Sequence, residues 1–285
     1  MSSTFWPTEM VGEYRASIAT LLLDPKDVRR MLPAGLDLGP PAQECPVFFG
    51  FGRHHGVTLT HLEWLPIFPM AYEETFIGVP GLSGARVGAG DGPYHYVSRL
   101  FLNRFLPTLG GNLIWGFTKR MASIRVPRRD DTFPYAVRSL LRRRPYYRLE
   151  ASPIGDFLPS SSFPNFKYAR RRIDQPLIEK LFFQLGPFAS SLFTWNWKEA
   201  KIRPLKTSVR VQTAFLPGLR PGVHDSLGID EDRHGSFEAC VSWSLSLPDP
   251  CFSTPAPGTS RARRGRQRIG LAQDRDDVRT TRTST

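Results

Sequence analysis

Cysteine is scarce in this sequence, with three in 285 residues. Cys45, Cys240 and Cys251 are widely spaced, and no C-x-x-C pair occurs. The sequence therefore predicts neither a disulfide framework nor a thiolate metal site, and a reducing compartment fits this composition.

Long apolar runs are also absent. No run approaches the ~18 residues that a membrane span needs. Residues 1–9 have neither the basic nor the apolar region of a signal peptide. We therefore expect a cytoplasmic protein that has no membrane partner.

Signatures of metal and dinucleotide binding are weak. His54, His55, His61 and Glu63 lie close together in the sequence, but their spacing fits no helical i, i+4 pair of ligands. Solvated loop histidines are the preferred interpretation, and no metal site is predicted. The glycines of residues 84–92 lead into a strand-like segment and not into a helix, which disfavours a dinucleotide site.

The formal net charge of +12 favours a nucleic-acid or anionic partner only at first sight. Eight arginines and three aspartates lie within residues 253–285, so this region carries +5 of the total. Its Pro, Ser, Thr and Arg content predicts a disordered tail over 251–285, after a single domain over 1–250. The arginine runs at 142–144 and 170–172 lack a nucleic-acid fold signature and are interpreted as solvated faces, so no specific nucleic-acid partner is expected.

Alternation of apolar and polar residues dominates the pattern, most clearly over residues 237–247. Asp24 followed by Pro25 predicts the start of a short helix. A second helix is predicted over 176–183, and residues 104–111 are interpreted as a loop. The sequence therefore predicts a mainly β (β-rich α+β) protein, an antiparallel barrel-like sheet with a few short helices.

The chemistry is predicted to lie in residues 110–120. Lys119 follows an apolar and aromatic run and is adjacent to Arg120. Burial against an apolar wall and a neighbouring positive charge both lower a lysine pKa and favour the neutral, nucleophilic amine. An unperturbed lysine, with a pKa of about 10.4, is only about one part in 2,500 neutral at pH 7. A single lysine after such a run is more often a surface residue whose stem packs on apolar groups.

Residues 115–120, Trp-Gly-Phe-Thr-Lys-Arg, resemble the Trp-Gly-Phe-Pro-Lys-Lys motif of the acetoacetate decarboxylase family. The Tyr-x-Glu of residues 72–74 and the Leu-Pro-Ala-Gly-Leu of residues 32–36 also resemble that family. The resemblance covers roughly residues 10 to 250 and implies the barrel-like β fold of the family.

The resemblance implies that Lys119 is the Schiff-base lysine. Arg120 stands where the family has a second lysine, and it would keep Lys119 neutral because arginine is always protonated. Glu74 is expected beside the Schiff base, where it would orient or protonate the intermediate. The second active-site glutamate of the family has no equivalent on the preceding strand, since neither Glu44 nor Glu63 is at the right place.

Four further residues are expected to bind the substrate. Arg15 is the nearest match to a first-strand arginine that faces the substrate carboxylate, although the register around it can slip by one. Tyr72, Trp115 and Phe117 belong to the matching motifs.

The resemblance thus predicts a cofactor-free enzyme that forms a Schiff base with a keto acid and releases carbon dioxide. Two alternatives remain open. One is aldolase or dehydratase chemistry on the same lysine, and the other is a catalytically inactive keto-acid-binding protein of the same fold. A homo-oligomer is expected.

Overall fold

The computed structural model describes residues 9–39, 44–83, 93–126, 133–141 and 145–250. The predicted tail over 251–285, the glycine-rich residues 84–92 and the arginine run 142–144 lie outside the described residues.

Strands make up most of the described chain, as the sequence predicts. They are β1 (Glu9–Leu23), β2 (Asp37–Leu38), β3 (Cys45–Leu59), β4 (Met70–Ser83), β5 (Tyr94–Leu102), β6 (Lys119–Met121), β7 (Ser123–Arg125), β8 (Phe133–Arg138), β9 (Pro145–Pro153), β10 (Leu158–Pro159), β11 (Leu177–Lys180), β12 (Phe188–Ser191), β13 (Phe193–Trp195), β14 (Lys201–Val211), β15 (Gly222–Ser226), β16 (Ser236–Ser246) and β17 (Asp249–Pro250). The helices are α1 (Pro25–Arg29), α2 (Phe105–Ile114), α3 (Phe166–Ile173) and α4 (Leu181–Gln184), with a 3₁₀ turn over Ser160–Ser162.

The main sheet is largely antiparallel. Neighbouring strands pair in the order β5–β4–β3–β1–β16–β14–β9–β8–β7. The short strand β6 pairs with β5 in parallel and continues into β7 through Ala122. The sheet therefore curls round loosely, without a continuous ladder between β6 and β7. The predicted mainly β, barrel-like class is confirmed.

Two apolar cores lie on opposite sides of the sheet. Successive side chains of a strand point to opposite faces, so Phe48 belongs to one core and Phe49 to the other. The core that contains Phe48 also contains Trp115, Phe117 and Trp243. This second core surrounds the candidate site.

Helix α1 begins as predicted. The side chain of Asp24 accepts a hydrogen bond from the backbone N–H of Lys26 at 2.7 Å, and Pro25 occupies the first turn. None of the helices in the described part of the chain is long and apolar enough to span a membrane.

The predicted loop over 104–111 is wrong, because residues 105–114 form helix α2. Pro107 lies in the first turn, where a missing backbone N–H costs little. Gly110 and Gly111 disfavour a helix by roughly 1 kcal/mol each relative to alanine, which explains the loop interpretation.

The predicted helix over 176–183 is also wrong. Residues 177–180 form strand β11, which pairs with β12 and touches β5. Phe182, Phe183 and Gln184 have φ values of 49°, 57° and 69°, so the chain turns left-handed and cannot continue a regular α-helix. Tertiary pairing overrides the helical spacing of the apolar residues here.

Candidate active site

A pocket of about 680 Å³, its open mouth included, lies in the second core. Polar side chains and tyrosines form a minority of its lining and are Tyr14, His54, Tyr72, Glu74, His95 and Lys119. The remaining lining residues are apolar or aromatic. The pocket therefore offers a small polar group within a water-poor surrounding.

Strand β6 and helix α2 together position Lys119. The backbone N–H of Lys119 donates to Asn112 Oδ1 at 2.7 Å, and Asn112 Nδ2 donates to the Lys119 carbonyl at 3.0 Å. Through these two hydrogen bonds Asn112 holds the strand against the helix. The Lys119 side chain then points into the pocket.

Gly111 makes the space for this lysine. A Cβ atom at position 111 would lie 2.3 Å from Lys119 Cε and 2.8 Å from Lys119 Nζ. Such contacts are far shorter than a van der Waals contact of about 3.5 Å. The helix can therefore pack this closely against the lysine only with glycine at this position.

Burial lowers the pKa of Lys119, and the negative charge of Glu74 opposes that shift. The Lys119 side chain is 4% exposed, and its Nζ lies 5.3 Å from the centre of the Phe117 ring. Because water solvates the ammonium form much better than an apolar wall does, the neutral amine gains population here. This is the species that attacks a carbonyl carbon.

Glu74 connects the lysine to a buried histidine. Glu74 Oε2 lies 3.9 Å from Lys119 Nζ, and Glu74 Oε1 lies 3.2 Å from His54 Nε2. Burial raises the pKa of the Glu74 carboxyl, but the charge and hydrogen bond of His54 and the charge of Lys119 outweigh it and hold the pKa below its usual range. An ionised carboxylate only accepts hydrogen bonds, so His54 donates from Nε2.

Two tyrosines enclose His54. The ring of His54 stacks on Tyr14 at 4.0 Å and on Tyr72 at 4.7 Å. Burial raises the pKa of both phenols, and the Glu74 charge adds to the shift, so both remain neutral hydrogen-bond donors. The hydroxyl of Tyr14 and Nδ1 of His54 have no hydrogen-bond partner among the described residues.

His95 lines another part of the pocket. Neither of its ring nitrogens has a hydrogen-bond partner among the described residues. Burial lowers the pKa of His95 to about 4, so this imidazole is neutral at physiological pH. Because Nε2 would lie 2.1 Å from a Cβ at position 78, Gly78 gives the ring its place.

The structure brings four of the seven predicted residues together, namely Lys119, Glu74, Tyr72 and Phe117. Arg15 does not belong to the described lining. Its side chain is 45% exposed and donates to Glu238 Oε1 at 2.8 Å. A shift of one residue along β1 exchanges the two faces, and it is Tyr14 that faces the pocket.

Arg120 lies on the opposite face of β6 from Lys119 and is exposed. The expectation that Arg120 keeps Lys119 neutral therefore finds no support in this placement, since burial is the largest cause of the lowered pKa.

Trp115 is buried but does not line the pocket either. Its Nε1 donates to the Ser246 carbonyl at 2.9 Å, which ties the end of α2 to the end of β16. Glu44 and Glu63 are both exposed and lie outside the described lining. Glu74 is therefore the one carboxylate among the described residues that line this pocket.

Sequence reasoning missed His54. Its interpretation as a solvated loop residue is wrong, because His54 is 3% exposed and lies on β3 directly opposite Tyr72 of β4. The alternation that includes Phe48, Gly50 and Gly52 extends to His54 and is a signal that could have placed it. In the described residues no three His, Cys, Asp or Glu side chains form a group that could hold a metal ion.

In this β-sheet fold a desolvated lysine faces a carboxylate within an apolar pocket. Proteins with such a site form a class that is suited to amine chemistry on carbonyl compounds. The chain belongs to the acetoacetate decarboxylase family, which residues 1–155 match. No curated protein matches the sequence.

Solved structures of low identity share the fold. MppR, an enduracididine biosynthesis enzyme complexed with pyruvate, is 13% identical with a TM-score of 0.61, over 88% of this chain and 93% of MppR. An acetoacetate decarboxylase from Legionella pneumophila is 14% identical with a TM-score of 0.60, over 86% of this chain and 87% of its own. An acetoacetate decarboxylase-like enzyme from Sphingomonas wittichii RW1 is 12% identical with a TM-score of 0.55, over 86% of this chain and 93% of that enzyme.

Proposed function

We propose that this protein is a cofactor-free enzyme that decarboxylates a β-keto acid through a Schiff base on Lys119. The observation that carries the proposal is the burial of Lys119 in an apolar pocket with Glu74 Oε2 at 3.9 Å from its Nζ. Membership of the acetoacetate decarboxylase family supports it.

The reaction begins when the neutral amine of Lys119 adds to the keto carbon. Loss of water from the resulting carbinolamine gives a protonated imine. The bond between the α carbon and the carboxylate then breaks, and its electron pair moves toward the imine nitrogen, which yields carbon dioxide and an enamine. Protonation of the enamine carbon and hydrolysis release a ketone and regenerate Lys119.

Glu74 and the pocket tyrosines handle protons in this scheme. Glu74 is near enough to Lys119 for a small movement or a single water to carry a proton between them. The unpartnered hydroxyl of Tyr14 is a donor for the oxygen of the carbinolamine. His54 holds the other oxygen of Glu74 and so orients the carboxylate.

Reductive trapping tests this proposal. The protein is incubated with acetoacetate and sodium borohydride, and the adduct is located by mass spectrometry. We expect the adduct on Lys119 and carbon dioxide release that Lys119→Ala abolishes. Lys198→Ala, which removes an exposed lysine, serves as the control and should retain both. The absence of any adduct with several keto acids would contradict the proposal.

A second candidate is carbon–carbon bond formation on the same lysine. The structures of MppR include one with pyruvate and one with the condensation product of pyruvate and imidazole 4-carboxaldehyde. Aldolase or dehydratase chemistry would give an adduct on Lys119 without carbon dioxide release. A third possibility, a keto-acid-binding protein without turnover, is favoured by the single carboxylate in the described lining and would bind keto acids without any adduct.

The homo-oligomer and the cytoplasmic location remain proposals. Exposed apolar side chains on α2 and α4, among them Leu113 and Phe182, favour self-association. Light scattering of the purified protein would establish its mass in solution.

A further inference from the structure

Three aromatic rings of the pocket lining, those of Phe193, Trp195 and Trp243, lie together and are called the aromatic mouth here. The ring centre of Phe193 lies 4.5 Å from that of Trp195 and 5.0 Å from that of Trp243. Trp195 and Trp243 are direct partners in the β13–β16 ladder. Phe193 and Trp195 are only partly buried.

A continuous set of contacts links this aromatic mouth to the reacting amine. Trp243 packs edge-on against His54 at 5.2 Å, and His54 bonds Glu74, which faces Lys119. The same pocket therefore has both a nucleophile and flat aromatic surfaces. A compound bonded to Lys119 would extend its remaining atoms toward those rings.

The charge of the lining disfavours a small, strongly hydrated anion. Among the described residues that line the pocket, Lys119 is the one lysine or arginine. Arg15, the expected partner of a substrate carboxylate, instead pairs with Glu238 outside the lining. Acetoacetate would therefore leave most of the aromatic surface uncovered and would find no guanidinium in the described lining.

The residues of the aromatic mouth all lie in the second half of the chain. Residues 1–155, which match the family, contain Lys119 and Glu74, whereas Phe193, Trp195 and Trp243 lie beyond that match. The reacting groups and the groups that contact the rest of the substrate thus come from different parts of the sequence.

We propose that the substrate is an aryl β-keto acid, a carbonyl compound whose aromatic ring packs against the aromatic mouth while its keto carbon reaches Lys119. This inference rests on the proposed Schiff-base function for its reacting end only. Ring stacking and burial of the aryl group supply the affinity, because aromatic pairs gain from offset or edge-on contact in addition to the buried area.

Calorimetric titration with two neutral ketones tests the ring preference without requiring any reaction. Acetone and acetophenone share the carbonyl and differ by a phenyl group. We expect acetophenone to bind about 100-fold more tightly, which corresponds to about 2.8 kcal/mol at about 1.4 kcal/mol per tenfold. Trp195→Ala should reduce this preference at least about tenfold. Trp64→Ala, which removes a tryptophan that is 72% exposed and outside the described lining, should leave it unchanged.

Kinetics with acetoacetate and benzoylacetate separate this inference from the proposed function. We expect kcat/KM for carbon dioxide release to favour benzoylacetate, and the preference to fall in Trp195→Ala but not in Trp64→Ala. Binding of the two ketones within threefold of each other, or equal effects of both variants, would overturn the inference. If neither keto acid forms an adduct on Lys119 while the Trp195-dependent preference for acetophenone persists, the aryl ligand class stands and the Schiff-base function is wrong.

Discussion

Replacement of Gly111 by alanine is the sharpest test of how the fold presents its lysine. The new Cβ would lie 2.3 Å from Lys119 Cε and 2.4 Å from Lys119 Cδ. To reach an ordinary contact of about 3.5 Å, the lysine must move by about 1 Å. A misplacement of this size at a reacting group costs about 100-fold in rate, so we expect kcat/KM to fall by about two orders of magnitude.

The stability of Gly111→Ala should change far less than its activity. Alanine in α2 favours the helix by up to about 1 kcal/mol over glycine, whereas overpacking typically costs about 1–3 kcal/mol. The atoms that clash are the far end of a flexible side chain, so the clash should be relieved by rotation of Lys119 and not by movement of the backbone. We expect a change of Tm of only a few degrees.

Gly110→Ala is the matched control. It makes the same substitution one residue earlier in the same helix, where a Cβ would meet nothing within 4 Å. This variant should keep full activity and gain about 2–4 °C in Tm from helix propensity. Borohydride trapping on Lys119 and thermal unfolding are measured for both variants. Wild-type trapping in Gly111→Ala, or equal losses in both variants, would refute the steric reasoning.

Three further predictions concern charge and the ends of the domain. Because the folded-state pKa of Lys119 is lowered, the unfolded chain binds more protons than the folded chain between that pKa and about 10.4. The free energy of unfolding, measured with urea, should therefore rise with pH in this window for the wild type. It should not do so for Lys119→Met. His54→Phe removes a charge and a hydrogen bond that lower the pKa of Glu74, so the acid limb of the pH–rate profile should move to higher pH. His55→Phe, on the exposed face of the strand, should leave the acid limb in place. An unchanged acid limb in both variants would contradict the link between His54 and Glu74. Truncation after Phe252 should leave Tm and ketone binding unaltered, because the tail has too few apolar residues to offset an ordering cost of about 1–2 kcal/mol per residue. A clear fall in Tm or in ketone affinity would show that the domain extends beyond residue 252.

Lys119, Glu74 and Tyr72 were accessible from the sequence because they lie in short contiguous motifs. The Trp-Gly-Phe-x-Lys run predicted Lys119 as a desolvated amine, and the Tyr-x-Glu spacing places Tyr72 and Glu74 on one face of a strand. The structure brings these side chains together in one pocket. Local patterning was sufficient here because each motif carries its own geometry.

Strand register was not accessible in the same way. Tyr14 and Arg15 are adjacent, and only the pairing of β1 with β3 and β16 decides which of them faces the pocket. A one-residue slip reverses every side chain of a strand. Composition alone does not separate His54 from the exposed His55, and only the alternation along β3 distinguishes them.

The aromatic mouth depends on pairing between distant segments. Trp195 and Trp243 are 48 positions apart and meet only because β13 adds to the edge of β16. In the sequence each of them is one member of an ordinary alternating strand. Nothing local distinguishes a ring that lines a cavity from a ring that fills a core, since both are apolar positions of a half-buried strand.

Burial and Glu74 are the two causes that act on the pKa of Lys119, and Arg120 is not among them. Burial favours the neutral amine, while a carboxylate at 3.9 Å favours the ammonium, so the two effects oppose each other at the same atom. His54 Nε2 donates to Glu74 Oε1 at 3.2 Å. This hydrogen bond orients the carboxylate and lowers the pKa of Glu74. In the proposed reaction, the carboxylate can accept a proton from the amine as the imine forms, and at 3.9 Å it makes no close ion pair with the resting lysine. Arg120 lies exposed on the opposite face of β6, so its charge is directed away from Lys119.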